Sequence, residues 1–168
     1  MTKTGSGGLT LGGANTYTGA TNVNVGTLTL GTSNVIADSS AVSVASGATF
    51  DMNSNSDTVG SIAGAGNITM GSATLTAGAD NTSTTFSGVL SGSNLVKNGS
   101  GTLTLSGANT YTGTTTINAG TLTANNAAAL GTTAFGTTVA SGGTLNIDGV
   151  AIGNETIGLT GGTISGTN

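Results

Sequence analysis

The sequence contains no cysteine, histidine, tryptophan or proline, and its two basic residues, Lys3 and Lys97, leave it without arginine. Absence of cysteine excludes disulfides and thiolate metal sites. Charged residues make up 5% of the chain, against roughly 25% in an ordinary globular domain. Phosphate backbones and anionic membranes attract clustered Lys or Arg, so neither nucleic-acid binding nor polybasic membrane binding is expected. No apolar run approaches the roughly 20 residues of a membrane span, so this segment is not expected to insert directly into a bilayer. The opening "MTKTGSGG" has no apolar signal-peptide core. An export signal or membrane anchor, if one exists, is expected outside these 168 residues.

What is present is patterned. The chain has 31 glycines and is 35% hydrophobic, and its apolar residues are periodic, which argues for a fold rather than a solvated low-charge coil. Sliding the sequence by 94 residues places Lys3 on Lys97, Leu9 on Leu103, Tyr17 on Tyr111 and Leu28 on Leu122. Further along the offset is 95, with Val44-Ala45-Ser46-Gly47 on Val139-Ala140-Ser141-Gly142. Residues 1–168 therefore read as one domain of two long units, about 1–94 and 95–168, the second cut short.

Inside these units, phrases like "GTLTL" start at Gly7, Gly26, Gly47, Gly66, Gly101, Gly120, Gly142 and Gly161. The gaps are 19 to 22 residues, apart from the longer one between Gly66 and Gly101. Each phrase alternates with period two, so Leu103 and Leu105 share one face and Thr102 and Thr104 the other. The same holds for Leu28 and Leu30 against Thr27 and Thr29. Gly, Asn, Ser and Asp gather between phrases, where corners need positive φ or side-chain-to-backbone bonds. No helix is expected; "NNAAALG" (Asn125 to Gly131) reads as a turn. One coil buries too little apolar surface to stand alone, whereas stacked coils share a core and pair their backbones. The prediction is an all-β solenoid of about eight coils, on the order of 40 Å long at roughly 4.8 Å per coil.

The stretch "GSGTLTLSGANTYTGTTTINAGTL" (Gly99 to Leu122), echoed by "GSGGLTLGGANTYTGATNVNVGTL" (Gly5 to Leu28), resembles the passenger-associated transport repeat, or autotransporter-associated β-strand repeat, of autotransporter passenger domains. The resemblance is looser across Val44 to Gly71 and Val139 to Gly166. It implies a right-handed, single-stranded parallel β-helix exported to the surface of Gram-negative bacteria. It also implies a structural stalk or spacer that displays an adhesin or enzyme lying elsewhere in a longer chain, and it carries no activity of its own.

The residues suggest no catalytic, cofactor-binding or metal site and no cofactor. Polysaccharide-cleaving β-helices cluster Asp with Arg, His or Lys, and general acid–base chemistry needs a paired set of tuned groups. Here Asp51 and Asp57 are six residues apart across a corner, and Asp51 aligns with Asn146. The six acids read as solvated turn residues, and none recurs as a calcium β-roll requires. Tyr17 and Tyr111 are expected to cover the core at corners and bond through their hydroxyls. Asn15 and Asn109 are expected to bond the backbone of a neighbouring coil. The sequons at Asn67, Asn81, Asn98 and Asn154 are what chance gives in such a composition.

The alternatives are an ice-binding face and a polysaccharide- or host-binding adhesin segment. Threonine pairs at Thr27/Thr29, Thr74/Thr76, Thr102/Thr104 and Thr121/Thr123 favour the first. Interruption of the array by Asp51, Asn67, Asn146 and Ser165 opposes it. The expected partners are neighbouring repeats of a longer chain or a second copy. The end and start joined, "ISGTN" plus "MTKTGSG", align without a gap on the interior "LSGSNLVKNGSG" (Leu90 to Gly101). This predicts head-to-tail stacking of coils, possible filaments, and contacts that do not close into a two-fold dimer.

Overall fold

Short alternating phrases separated by glycine-rich corners give short strands, and the computed structural model, which describes residues 1–147 and 149–166, contains twenty of them and no helix. In chain order they are β1 (Thr2–Lys3), β2 (Gly8–Leu11), β3 (Thr21–Val23), β4 (Thr27–Leu30), β5 (Val42–Val44), β6 (Thr49–Asp51) and β7 (Asp57–Val59). There follow β8 (Ile62–Gly64), β9 (Asn67–Thr69), β10 (Thr74–Ala77), β11 (Thr84–Phe86), β12 (Leu90–Ser91), β13 (Asn94–Lys97) and β14 (Thr102–Leu105). The last are β15 (Thr115–Ile117), β16 (Gly120–Ala124), β17 (Thr137–Ala140), β18 (Gly143–Ile147), β19 (Ile157–Thr160) and β20 (Thr163–Ser165). Asn125 to Gly131 is the expected turn, closed by Ala129 N–H to the Asn126 carbonyl at 3.0 Å.

The strands form three parallel sheets, the faces of a β-solenoid of about eight coils. A long face runs β1-β3-β5-β8-β11-β14-β16-β18-β20 and passes through every coil. An early face, β2-β4-β6-β9-β12, serves the first five coils, and a late face, β7-β10-β13-β15-β17-β19, serves the third coil onward. Register on the long face steps by 19 residues at its shortest (Thr102 to Thr121) and by 23 at its longest (Gly120 to Gly143). Parallel pairing in register puts like on like. Val23, Val44, Gly64, Phe86, Leu105 and Ala124 form one inward column, and all but half-buried Gly64 are fully buried. Each buried Val, Leu or Phe contributes about 1.5–3 kcal/mol over exposure. Leu103 and Leu105 face inward and Thr102 and Thr104 lie half-exposed on the opposite side, as the alternation predicts.

The two long units do not occupy the same faces. β2 and β4 lie on the early face, while their counterparts 94 residues on, β14 and β16, lie on the long face. β1 and β3 lie on the long face, and their counterparts β13 and β15 on the late face. A repeat of 94 residues at about 20 per coil spans four and two-thirds coils, so the second unit is turned by one face. The long gap between Gly66 and Gly101 is where the "GTLTL" phrases change face. The side without strands moves too. It lies on the late side in the first two coils (residues 12–20 and 31–41) and on the early side in the sixth and seventh (106–114 and 125–136).

Candidate functional site

The polar side chains that the repeat preserves lie at corners, where they tie neighbouring coils together or brace a single corner. Asn109 is buried and bridges three coils: its Oδ1 accepts from Leu90 N–H at 2.8 Å, while its Nδ2 donates to the Ala129 carbonyl at 2.7 Å. Its own N–H reaches the Ala128 carbonyl at 3.0 Å. Tyr111 is fully buried, and its hydroxyl shares a 2.6 Å bond with Thr115 Oγ1. Burial pushes its ionisation well above the ordinary tyrosine range. In the first unit, Asn15 Nδ2 donates to the Val35 carbonyl at 2.9 Å, and the Tyr17 hydroxyl accepts from Thr21 at 3.1 Å. Both residue types therefore take the structural roles expected of them. The one-face turn separates the two corners onto different sides, so they form no shared platform.

The lysines are the feature that composition alone does not place. Lys97 stands on an inward position of β13, in register with Ala77 and Ile117. Its ammonium donates to the carbonyls of Asn98 (2.6 Å), Gly99 (2.9 Å) and Ala119 (3.2 Å), a clamp between two coils. Burial lowers its proton affinity below that of a free lysine, and the nearby Asp80 partly restores it. Lys3 repeats the clamp on Gly5 and Val25 carbonyls. A signal was available: Leu95 and Lys97 share the inward parity, and both lysines of the chain fall on one repeat position. The clamp needs corner carbonyls to converge. At Gly120, φ is +66°, and a Cβ would lie 2.4 Å from the Gly99 carbonyl oxygen, so only glycine fits.

The acids correct the sequence reading in one place. Asp57 is not a solvated turn residue. It begins β7, the first strand of the late face, and is 2% exposed. Its Oδ2 accepts from Val35 N–H (2.9 Å) and Ile36 N–H (3.3 Å), holding the strandless segment of the coil beneath; Oδ1 has no partner. Desolvation raises its pKa, opposed by those two N–H bonds. Asp51, across the corner, accepts from Asn53 N–H and Thr69 Oγ1. Asp80 accepts from Ser61 and Thr82, whose bonds hold its carboxyl below the usual range against desolvation. Glu155 accepts from Thr137, and Asp148 lies outside the described residues. Among the described residues, no three acids converge where a metal ion would sit.

The threonine pairs are spread over three faces: Thr27/Thr29 early, Thr74/Thr76 late, Thr102/Thr104 and Thr121/Thr123 long. Only the long face stacks them. Thr102, Thr121, Thr144 and Thr163 form one rank, with Thr104, Thr123, Asn146 and Ser165 beside it.

A parallel solenoid whose corners repeat the same Asn, Tyr and Lys bonds is a repeat protein. The model of one family, the passenger-associated-transport-repeat, matches residues 1–30 and 95–124, the stretches that fold into β1–β4 and β13–β16. Two stretches of the chain thus match the passenger-associated-transport-repeat. It is also similar to the adhesin BmaC autotransporter of Brucella suis biovar 1 (strain 1330), 40% identical over 85 residues. That match covers 50% of this chain and 2% of the relative's length. No solved structure matches the chain significantly.

Proposed function

We propose that this segment is a rigid, non-catalytic spacer in the extracellular passenger of a larger surface protein, holding other parts of that protein away from the cell. The passenger repeats and the similarity to part of an autotransporter adhesin support an extracellular or cell-surface location. The observation that carries the spacer role is the long face, one parallel ladder through every coil. A continuous ladder resists bending, because each coil is bonded to the next along its whole strand. The conserved-by-repeat polar groups support the same reading, since Asn109, Tyr111 and Lys97 are spent on bonds between coils or within a corner. The test is to place the segment between a membrane-anchored base and an epitope. Deleting it should bring the epitope closer by about 40 Å, and an unrelated solenoid of equal length should restore both reach and display. Adhesion or activity lost on deletion and not restored by the substitute would overturn the spacer role.

The long-face hydroxyl ranks favour a second reading, a surface for an ordered ligand such as ice or crystalline polysaccharide. Thermal hysteresis above a control protein, lost when Thr102 and Thr104 are both changed to Val, would establish it; no activity leaves the spacer.

A further inference from the structure

Asn98 and Gly99 form the only asparagine–glycine pair in the sequence. They stand at the corner that follows β13, a strand paired on one side with β10 and on the other with β15, so the corner lies inside the stack. Three of its polar groups are held. Asn98 N–H donates to the Ala77 carbonyl at 2.8 Å. The Asn98 main-chain carbonyl accepts from the Lys97 ammonium at 2.6 Å. The side-chain Oδ1 of Asn98 accepts from Asn118 Nδ2, one coil on, at 2.9 Å. Two groups are free: among the described residues, neither Gly99 N–H nor Asn98 Nδ2 has a hydrogen-bond partner. Both oxygens that can take up negative charge are therefore held by donors, while a nucleophile and a leaving group stand unpaired.

We propose that this corner modifies itself: the Asn98 side-chain amide passes through a cyclic imide to an isoaspartyl link with Gly99, using water as co-reactant and releasing ammonia. The Gly99 amide nitrogen loses its proton to solvent, and the charge spreads onto the Asn98 carbonyl oxygen, where the Lys97 ammonium stabilises it. That nitrogen attacks Cγ of Asn98, and the new oxyanion forms on Oδ1, facing Asn118 Nδ2. The Cγ–Nδ2 bond breaks, and Nδ2 leaves as ammonia after taking a proton from water. Water then opens the ring at one of its two carbonyls. Lys97 polarises the main-chain carbonyl, so water adds there. The bond from that carbon to Gly99 nitrogen breaks, and Gly99 stays attached through Cγ. The main-chain carbonyl has become a carboxylate, and it lies against the ammonium that already clamps it. The fold itself requires the glycine: at Gly99 φ is +68°, and an added Cβ would collide with the Gly78 carbonyl oxygen. The first unit provides a contrast, because Thr4 stands where Asn98 does, beside Lys3 and Gly5. That corner keeps its lysine clamp and has no amide to convert. The product adds one methylene to the main chain and turns a clamp on neutral carbonyls into an ion pair, a permanent mark on one corner of the rod.

The test incubates the folded, intact chain in warm neutral buffer and maps its peptides by mass over time. Acid should replace amide at Asn98 ahead of every other asparagine, with ammonia released in equal amount. Enzymatic methylation of isoaspartate measures the isoaspartyl share of the product. The reference is the same chain unfolded in urea, where the sequence is unchanged and both donors are lost. One donor on a developing oxyanion is worth about 100-fold or more in a closed site, and access of water to this corner reduces the expected gain of folded over unfolded to about tenfold. Asn118→Ala removes an exposed bond, so it should keep the β spectrum and slow conversion by about threefold. It should also raise the isoaspartyl share, because the carbonyl it no longer polarises is the one that opens to aspartate. Lys97→Met should slow conversion too, and should lower the isoaspartyl share toward that of the unfolded chain. A purely structural role for either side chain would not move the product ratio in opposite directions. Conversion no faster in the folded chain than in urea, other asparagines converting as fast as Asn98, or an Asn118→Ala protein with unchanged rate and product ratio would each overturn the proposal.

Discussion

Replacing Lys97 with methionine decides whether the lysine clamp holds the rod together or merely tolerates a buried charge. The substitution keeps the unbranched stem that fills the inward column between Ala77 and Ile117 and removes the ammonium. Three carbonyls, of Asn98, Gly99 and Ala119, lose their donor. A hydrogen bond to a charged group contributes about 1.5–3 kcal/mol, and a buried acceptor left unmade costs about 1–3 kcal/mol. Three such losses outweigh the relief of desolvation that lowers the lysine's own proton affinity, because that relief is bounded by the same charge finding three acceptors and a nearby carboxylate. The expected net loss is about 3 kcal/mol. For a chain of this size it lowers the melting temperature by about 6–12 °C, read by circular dichroism at the β minimum. Lys3→Met is the internal control. Lys3 clamps two carbonyls at an end coil, so its loss should be less than half as large, with fraying confined to the first coils in hydrogen exchange. A Lys97→Met protein as stable as the parent would show that desolvation dominates and that the clamp contributes nothing.

Leu103→Asp places an unpaired carboxylate in the core and should cost about 3–5 kcal/mol. Thr104→Asp, one residue away on the outer face, should cost under about 1 kcal/mol, and equal urea midpoints for the two would show the faces assigned wrongly. Asp57 supplies a pH test. Its folded-state pKa is raised above 3.8, chiefly by desolvation, so its contribution is fully present below that value and is lost as pH climbs through the folded pKa. Asp57→Asn should therefore remove a fall in stability that sets in as pH rises above 3.8, measured against the parent by urea titration at each pH. Parallel profiles would refute the assignment.

The coil, its strands and its inward column were legible because period-two alternation is local: Leu103 and Leu105 declare their face with no knowledge of the rest. The corner roles of Asn109 and Tyr111 were legible for the same reason, since turn chemistry belongs to a few adjacent residues. Which of three faces a phrase occupies was not, because face is a running sum of coil lengths that vary from 18 to 23 residues, and each departure shifts every later strand. Asp57 was misread because a charged residue beside Asn and Ser looks like a turn. Its parity with Val59 placed it inward, and its partners, the N–H groups of Val35 and Ile36, come from a coil about twenty residues away. Lys97 is the same case with the sign reversed.

A repeat of four and two-thirds coils has a consequence for how such a protein changes over generations. Repetitive genes gain and lose whole units through misaligned recombination, and here one unit alters direction as well as length. Deleting 94 residues removes nearly five coils and also swings everything beyond the cut by a third of a turn. Only a change of three units returns a distal feature to the side it occupied before. Length and heading are thus coupled in one count, and recombination between these repeats aims the protein as it resizes it.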